Sequence, residues 1–172
     1  RQFRPITVIN VLERIFSKVG AARLANVADR LDHPLQTAIL KGRQIHDGIL
    51  ALHEIVHEMR SHGHKGVFLK LDFQKSYDQL DWSFLRLVLQ RRGFDERWCS
   101  WVMQLVRLGN TVININGEVG TFFIAFAGVK QGDLISPLLF NLAVDALTDI
   151  LDKSRRAGHL LGLPTCTTPM TP

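Results

Sequence analysis

The chain reads as an α+β protein, mostly helical with a small antiparallel sheet. Three observations predict this. Long segments repeat their apolar residues every three or four positions, the period of a helix face. One short apolar run, residues 67–72, ends in a carboxylate, as a buried strand does. Two alternating runs flank Asn116-Gly117, a strong hairpin signal. Strands and helices do not alternate regularly, which disfavours a parallel α/β sheet.

The elements follow in order. Residues 3–9 look extended around Pro5. Residues 10–31 predict a helix, with Val11, Leu12, Ile15, Val19, Ala22 and Leu24 as its apolar face. Asp32-His33-Pro34 breaks it. Residues 42–61 predict a second helix, with Ile45, Ile49, Leu52, Val56 and Met59 on one face. Gly63 and Gly66 bracket a basic turn with His64 and Lys65 before the strand at 67–72. Asp81 or Ser83 caps a helix that runs to Arg92, where Gly93 stops it. Residues 95–108 form another helix, with Trp98 and Trp101 on adjacent faces. Residues 111–116 and 118–126 pair through the Asn116-Gly117 turn, and 128–132 is a loop. Residues 136–155 predict a long helix capped by Ser136, with Pro137 in its first turn. The Thr- and Pro-rich tail, 164–172, reads as disordered.

Composition narrows the class. With 172 residues, 46% hydrophobic and 22% charged, the chain is neither disordered nor a disulfide scaffold. Lysine and arginine number 21 against 16 acidic residues, a net charge of +5 that permits a polyanionic partner. Cys99 and Cys166 lie far apart, so a disulfide framework and a cysteine zinc site are disfavoured. No apolar run approaches the ~18 residues that cross a bilayer, and no signal peptide is visible. The chain opens Arg1-Gln2-Phe3-Arg4 without a Met, which predicts a piece of a longer polypeptide.

Two segments carry candidate chemistry. The first is Asp72-Phe73-Gln74-Lys75-Ser76-Tyr77-Asp78. A carboxylate at a strand end, beside a tight turn, offers a hard oxygen suited to Mg²⁺; the competing reading is a turn cap. The second is Gly128-Val129-Lys130-Gln131-Gly132-Asp133, leading through Leu134-Ile135 into Ser136-Pro137. Glycine-flanked loops that enter helices can turn backbone N–H groups toward an anion, although many such loops bind nothing.

Together the residues resemble a family. The 72–78 segment is similar to the D-x-x-K-A-[FY]-D block of reverse transcriptases, and Gln131-Gly132-Asp133-x-x-Ser136-Pro137 to their Q-G-D-P-L-S-P block. Phe3-Arg4-Pro5-Ile6 resembles the F-R-P-I opening, and Lys41-Gly42-Arg43-Gln44-Ile45 the K-G-R-Q-I segment. Four blocks in family order, over about residues 1–163, most resemble the polymerase of non-LTR (LINE-type) retrotransposons, particularly the plant kind.

The resemblance implies a partial right-hand polymerase, with fingers at 1–66 and an incomplete palm at 67–163. It implies an RNA template, a DNA primer and dNTPs, with Mg²⁺ or Mn²⁺ serving a two-metal displacement in the complete enzyme. By motif match Asp72 is the catalytic metal ligand, with the Phe73 carbonyl assisting. Tyr77, Arg4, Gln131 and Gly132 are nucleotide-binding, Tyr77 selecting deoxyribose, and Lys75 is a weaker candidate. Lys41 and Arg43 face the template backbone. The family's work implies a nuclear or cytoplasmic location and no membrane.

Three departures matter. Ser76 replaces the usual Ala, and Leu134-Ile135 replaces Pro-Leu, which predicts a looser loop. The F/Y-A-D-D block is absent, and no Asp-Asp pair occurs in the chain. One carboxylate does not hold two divalent ions against their repulsion. The expectation is a fragment that does not polymerise alone and self-associates through an unpaired sheet edge.

Other readings compete. His53-Glu54-Ile55-Val56-His57 spells H-E-x-x-H, a zinc-peptidase pattern on a helix, with His46 on the same stripe. Arg60 and Gly63 stand where the extended form needs Gly and His, and no Glu between Glu58 and Glu96 offers a third ligand at the usual distance. A non-catalytic nucleic-acid-binding remnant is the third reading, supported by the charge, Arg91-Arg92 and Arg155-Arg156. Trp82, Trp98 and Trp101 read as core rather than as base-stacking platforms.

Overall fold

A computed structural model of the chain describes residues 6–40 and 42–162. Within them the element order is α1 (Val11–Leu31), α2 (Ile45–Ser61), α3 (Trp82–Arg91), α4 (Glu96–Arg107), β1 (Asn114–Ile115), β2 (Glu118–Val119) and α5 (Ser136–Arg156). The predicted 3–6 opening, Lys41 and the 164–172 tail fall wholly or mostly outside the described residues.

Local chemistry sets the helix starts. Asn10, Asp81 and Asp95 each accept a backbone N–H of the first turn, satisfying donors that no helix can satisfy itself. Of the two caps proposed for α3, Asp81 is the one used, and Ser83 donates its hydroxyl to it. Two starts differ from expectation. α2 begins at Ile45 rather than Gly42, because Gly42 adopts φ +84°, outside the helical region. Ile135, not Ser136, caps α5; Ser136 is already helical and buried.

The core is built by helices α1, α3, α4 and α5. Leu24 of α1, Leu85 and Leu89 of α3, Cys99 and Val102 of α4, and Leu139 and Leu142 of α5 are fully buried together. α5 packs on α1 and α3. Among the described residues the only sheet is the two-stranded hairpin, whose residues are exposed, and α5 makes its contacts with helices instead.

The strand expected at 67–72 is not a strand. Residues 64–73 have no regular structure and are exposed, with Val67 at 95%. A strand needs neighbours for its backbone groups and apolar side chains, and none pairs with it among the described residues. The hairpin forms around the expected turn, with Asn116 and Gly117 at φ +55° and +91°. Its ladder pairs Asn114 with Val119 and Ile115 with Glu118. A bridge from Thr111 to Phe123 continues it with the register slipped by one residue, as a bulge produces.

α1 turns most of its predicted apolar face outward and keeps only Leu24 of it inside. Val11, Leu12, Ile15, Val19 and Ala22 are exposed, while Glu13, Ser17, Gly20, Leu24 and Ala28 are buried. Those five also recur at helical spacing. Small residues admit neighbours closely: a Cβ on Gly20 would lie 2.9 Å from the Ile135 side chain. The apolar face expected on α2 is likewise not a core face, since α2 has no buried residue.

A polar seam closes the helical core. Asp145 on α5, 2% exposed, accepts from Arg92 at 2.5 Å and from the His33 backbone N–H at 3.1 Å. Arg92 also donates to the Leu31 carbonyl at 2.8 Å and to Asp149 at 2.9 Å. Replacing Arg92 by Met should therefore cost about 3–5 kcal/mol, because it strands a buried carboxylate. Asp149→Asn, half in water, should cost under ~1 kcal/mol. Chemical denaturation of the two variants measures both, and equal losses would contradict this account.

Candidate functional site

The two sequence blocks meet in space. Residues 74–79 form a run of turns. Lys75 at its start adopts φ +50°, and its carbonyl accepts the Asp78 and Gln79 N–H groups at 3.0 Å. The 128–132 loop lies on this turn. Val129 N–H donates to the Tyr77 carbonyl and Gly128 N–H to the Leu80 carbonyl, both at 2.8 Å. The Gln131 side-chain amide donates to Asp78 Oδ1 at 3.2 Å.

Glycine is required at the junction. Gly128 has φ +90°, and a Cβ there would stand 2.7 Å from the Asp78 carbonyl oxygen. Trp82 locks the contact by donating its indole N–H to the Gly128 carbonyl at 2.7 Å. The Arg107 guanidinium lies over its ring, 5.4 Å from the centroid. Gly132 at φ +103° lies close to the 6–7 segment, where Thr7 N–H donates to the Gln131 carbonyl at 2.8 Å.

Each predicted residue has a definite place. Tyr77 is half-buried and stacks on Phe140 of α5, with centroids 4.5 Å apart. Gln131 is half-buried and Gly132 exposed beside it. Asp72, Phe73 and Lys75 are exposed on the segment entering the turn. Arg43 lies elsewhere, its guanidinium donating to the His33 and Gln36 carbonyls at 2.7 and 2.8 Å. With Lys18 and His46 it lines a groove of about 850 Å³ floored by Ala21, Ala22 and Leu138. Arg4 and Lys41 lie outside the described residues.

Asp72 offers one hard oxygen, but among the described residues no group of three or more His, Cys, Asp or Glu could hold an ion. The described residues therefore do not compose a complete divalent-metal site. The same finding applies to His53, Glu54 and His57, which sit exposed on α2 with no third ligand gathered beside them.

Sequence reasoning missed four residues that shape this region. Lys130 pairs with Glu13 of α1, and Asp133 accepts from Ser17 of α1. The signal was present: Glu13, Ser17, Gly20 and Leu24 mark a second stripe on α1, polar and small at one end. The replacement of Pro-Leu by Leu134-Ile135 does not leave the loop without an anchor, since Ile135 is fully buried. The three tryptophans are half-buried and engaged in packing. Trp98 lies 5.5 Å from Trp101 and 6.1 Å from Phe94, centroid to centroid.

The family model described as reverse transcriptase (RNA-dependent DNA polymerase) matches residues 1–161, and the chain belongs to that family. Its relatives include proteins of non-LTR retrotransposons. It is 30% identical over 165 residues to the Pol polyprotein of the type-1 element R2 of Popillia japonica, covering 93% of the chain and 22% of the relative. It is 31% identical over 147 residues to that of the type-2 element R2DM of Drosophila melanogaster, covering 86% and 14%. It is 28% identical over 165 residues to the transposon TX1 uncharacterized 149 kDa protein of Xenopus laevis, covering 95% and 12%. The chain thus spans less than a quarter of these relatives' lengths. These animal relatives lend no support to the expected plant affinity.

Burial raises the Tyr77 phenol above its ordinary value of 10.0. Between pH 10 and the raised value the folded chain holds a proton that the unfolded chain has released. Stability from this group is therefore complete below pH 10 and falls as pH rises through the folded value. Tyr77 is the chain's one tyrosine, so phenolate absorbance during a pH titration reads it directly. Ionisation of the folded protein at or below pH 10 would contradict the burial.

Proposed function

We propose that the junction of the 74–80 turn and the 128–132 loop forms the nucleotide-facing part of a reverse transcriptase, with fingers at 1–66 and palm at 67–163. One observation carries this reading: Gly128 and Val129 dock on the backbone of Tyr77–Leu80, so that Tyr77, Gln131 and Gly132 share one surface. Arg4 and, more weakly, Lys75 serve the triphosphate. Lys41 and Arg43 serve the template, Arg43 from the groove that Lys18 and His46 also line. Asp72 and the Phe73 carbonyl supply part of a site for Mg²⁺ or Mn²⁺; among the described residues no group of three or more His, Cys, Asp or Glu completes it.

On this reading the complete enzyme adds dNTPs to a DNA primer along an RNA template. Copying RNA into DNA for a mobile element fits a nuclear or cytoplasmic location. Among the described residues no helix is long and apolar enough to cross a membrane. The present chain binds nucleic acid without polymerising, because among the described residues Asp72 has no gathered partner carboxylates.

Primer extension on RNA with Mg²⁺ and dNTPs, run beside a hybrid-binding assay, tests both statements. Wild type and Asp72→Asn should both fail to extend. Both should bind the hybrid, with affinity falling at least about tenfold between roughly 50 and 200 mM salt as a few phosphate contacts are screened. Extension that Asp72→Asn abolishes would overturn the claim of inertness. Failure to bind even at low salt would overturn the nucleic-acid reading.

The exposed 67–73 segment and hairpin leave apolar side chains and backbone edges uncovered, Phe126 at 84% among them. They supply the surface for self-association. The sedimentation mass should rise with protein concentration; a constant monomer mass at high concentration would refute this.

A further inference from the structure

We propose that Glu13 and Ser17 of α1 are positioning residues for the Gln131-Gly132 loop, acting through Lys130 and Asp133; this rests on the nucleotide reading of that loop. Lys130 and Asp133 bracket Gln131-Gly132 in the chain, and both side chains turn onto α1. The Lys130 ammonium pairs with the Glu13 carboxylate and donates to the Leu108 carbonyl at 2.6 Å. The Asp133 carboxylate accepts from Ser17 Oγ, from Leu134 N–H at 2.7 Å and from Ser136 Oγ at 3.3 Å. Ser17 Oγ in turn accepts Ile135 N–H at 3.2 Å. The loop is thus held on both flanks by one helix.

Burial makes these contacts consequential. The Glu13 side chain is 8% exposed and that of Lys130 18%. A buried carboxylate without a partner is strongly disfavoured, so Glu13 constrains where Lys130 can go. This also explains why α1 turns most of its apolar face outward. The helix turns Glu13 and Ser17 inward and leaves Leu12, Ile15 and Phe16 outward. That orientation is stable only if the inward polar groups find partners, and the 130–135 loop supplies them.

The inference has a specific consequence for Lys130. A lysine beside Gln131 invites assignment as a phosphate ligand. Here its charge is already neutralised by Glu13, so it shapes the loop and does not touch the nucleotide. Between the two anchors the Gln131 carbonyl receives Thr7 N–H at 2.8 Å, which makes the Thr7 amide a reporter of loop position.

The test uses the whole chain with four variants: Glu13→Gln, Lys130→Met, Lys130→Arg and Ser17→Ala. Two quantities are read: affinity for Mg²⁺-dATP, and hydrogen exchange at Thr7 with the α4 amide of Cys99 as internal reference. Glu13→Gln and Lys130→Met should each weaken dATP binding by roughly tenfold, the scale of a lost charged hydrogen bond. Both should speed Thr7 exchange while Cys99 holds its protection. Ser17→Ala should do the same more mildly, and Lys130→Arg should restore wild-type behaviour. Weakened binding in Lys130→Met with none in Glu13→Gln would overturn the proposal, because Lys130 would then be touching phosphate. Unchanged Thr7 exchange in all variants would overturn it too, including any case where Glu13→Gln proves too unstable to read. If wild type binds no dATP but Thr7 exchange responds as stated, the anchoring stands and the nucleotide reading of the loop fails.

Discussion

A buried carboxylate organises the helical part of this chain. Asp145 lies on the inner face of α5, where water cannot solvate it. Its charge is compatible with burial only because Arg92, from the end of α3, reaches it and also caps the last carbonyl region of α1 at Leu31. A guanidinium there also meets the negative end of the α1 dipole. The chain leaving α1 is held to the same carboxylate through the His33 N–H. Three helices that share few sequence neighbours are thereby fixed in angle and register.

The second constraint is the loop between the hairpin and α5. It crosses from the 74–80 turn to α1 within a few residues and is pinned at each step. Gly128 is pressed on Asp78, and Val129 and Ile135 are in the core. Lys130 and Asp133 are tied to α1. Such a path requires a residue without a side chain at Gly128 and an anchored hydrophobe at Ile135. It brings two motifs, over fifty residues apart in the chain, onto one surface. The family assignment and the geometry therefore support each other through the same residues.

Elements governed by neighbours in sequence were legible. α3 and α4 start at their Asp caps, and the hairpin turns at Asn116-Gly117, because capping and left-handed turn geometry are decided within four residues. Features that depend on distant partners were not. Of the apolar stripe predicted for α1 only Leu24 faces inward, since periodicity detects a helix and not the identity of its neighbour. The apolar run at 67–72 reads as a strand, yet a strand requires an adjacent backbone. The expected helix cap at Ser136 lies instead at Ile135, and Ser136 is already helical and buried, its hydroxyl donating to Asp133.

By itself the sequence determined the helices, the hairpin turn, the family and the motif residues Asp72, Tyr77, Gln131 and Gly132. Each rests on a local pattern of side-chain size, polarity or turn chemistry that survives without tertiary context. Only the tertiary structure decided that Asp145 is buried, that Arg92 is its counter-ion, and that α1 turns Glu13 and Ser17 inward. The reason is electrostatic. Whether a charged group is inside or outside depends on the partner available to it, and these partners lie from about fifty to over a hundred residues away in the chain.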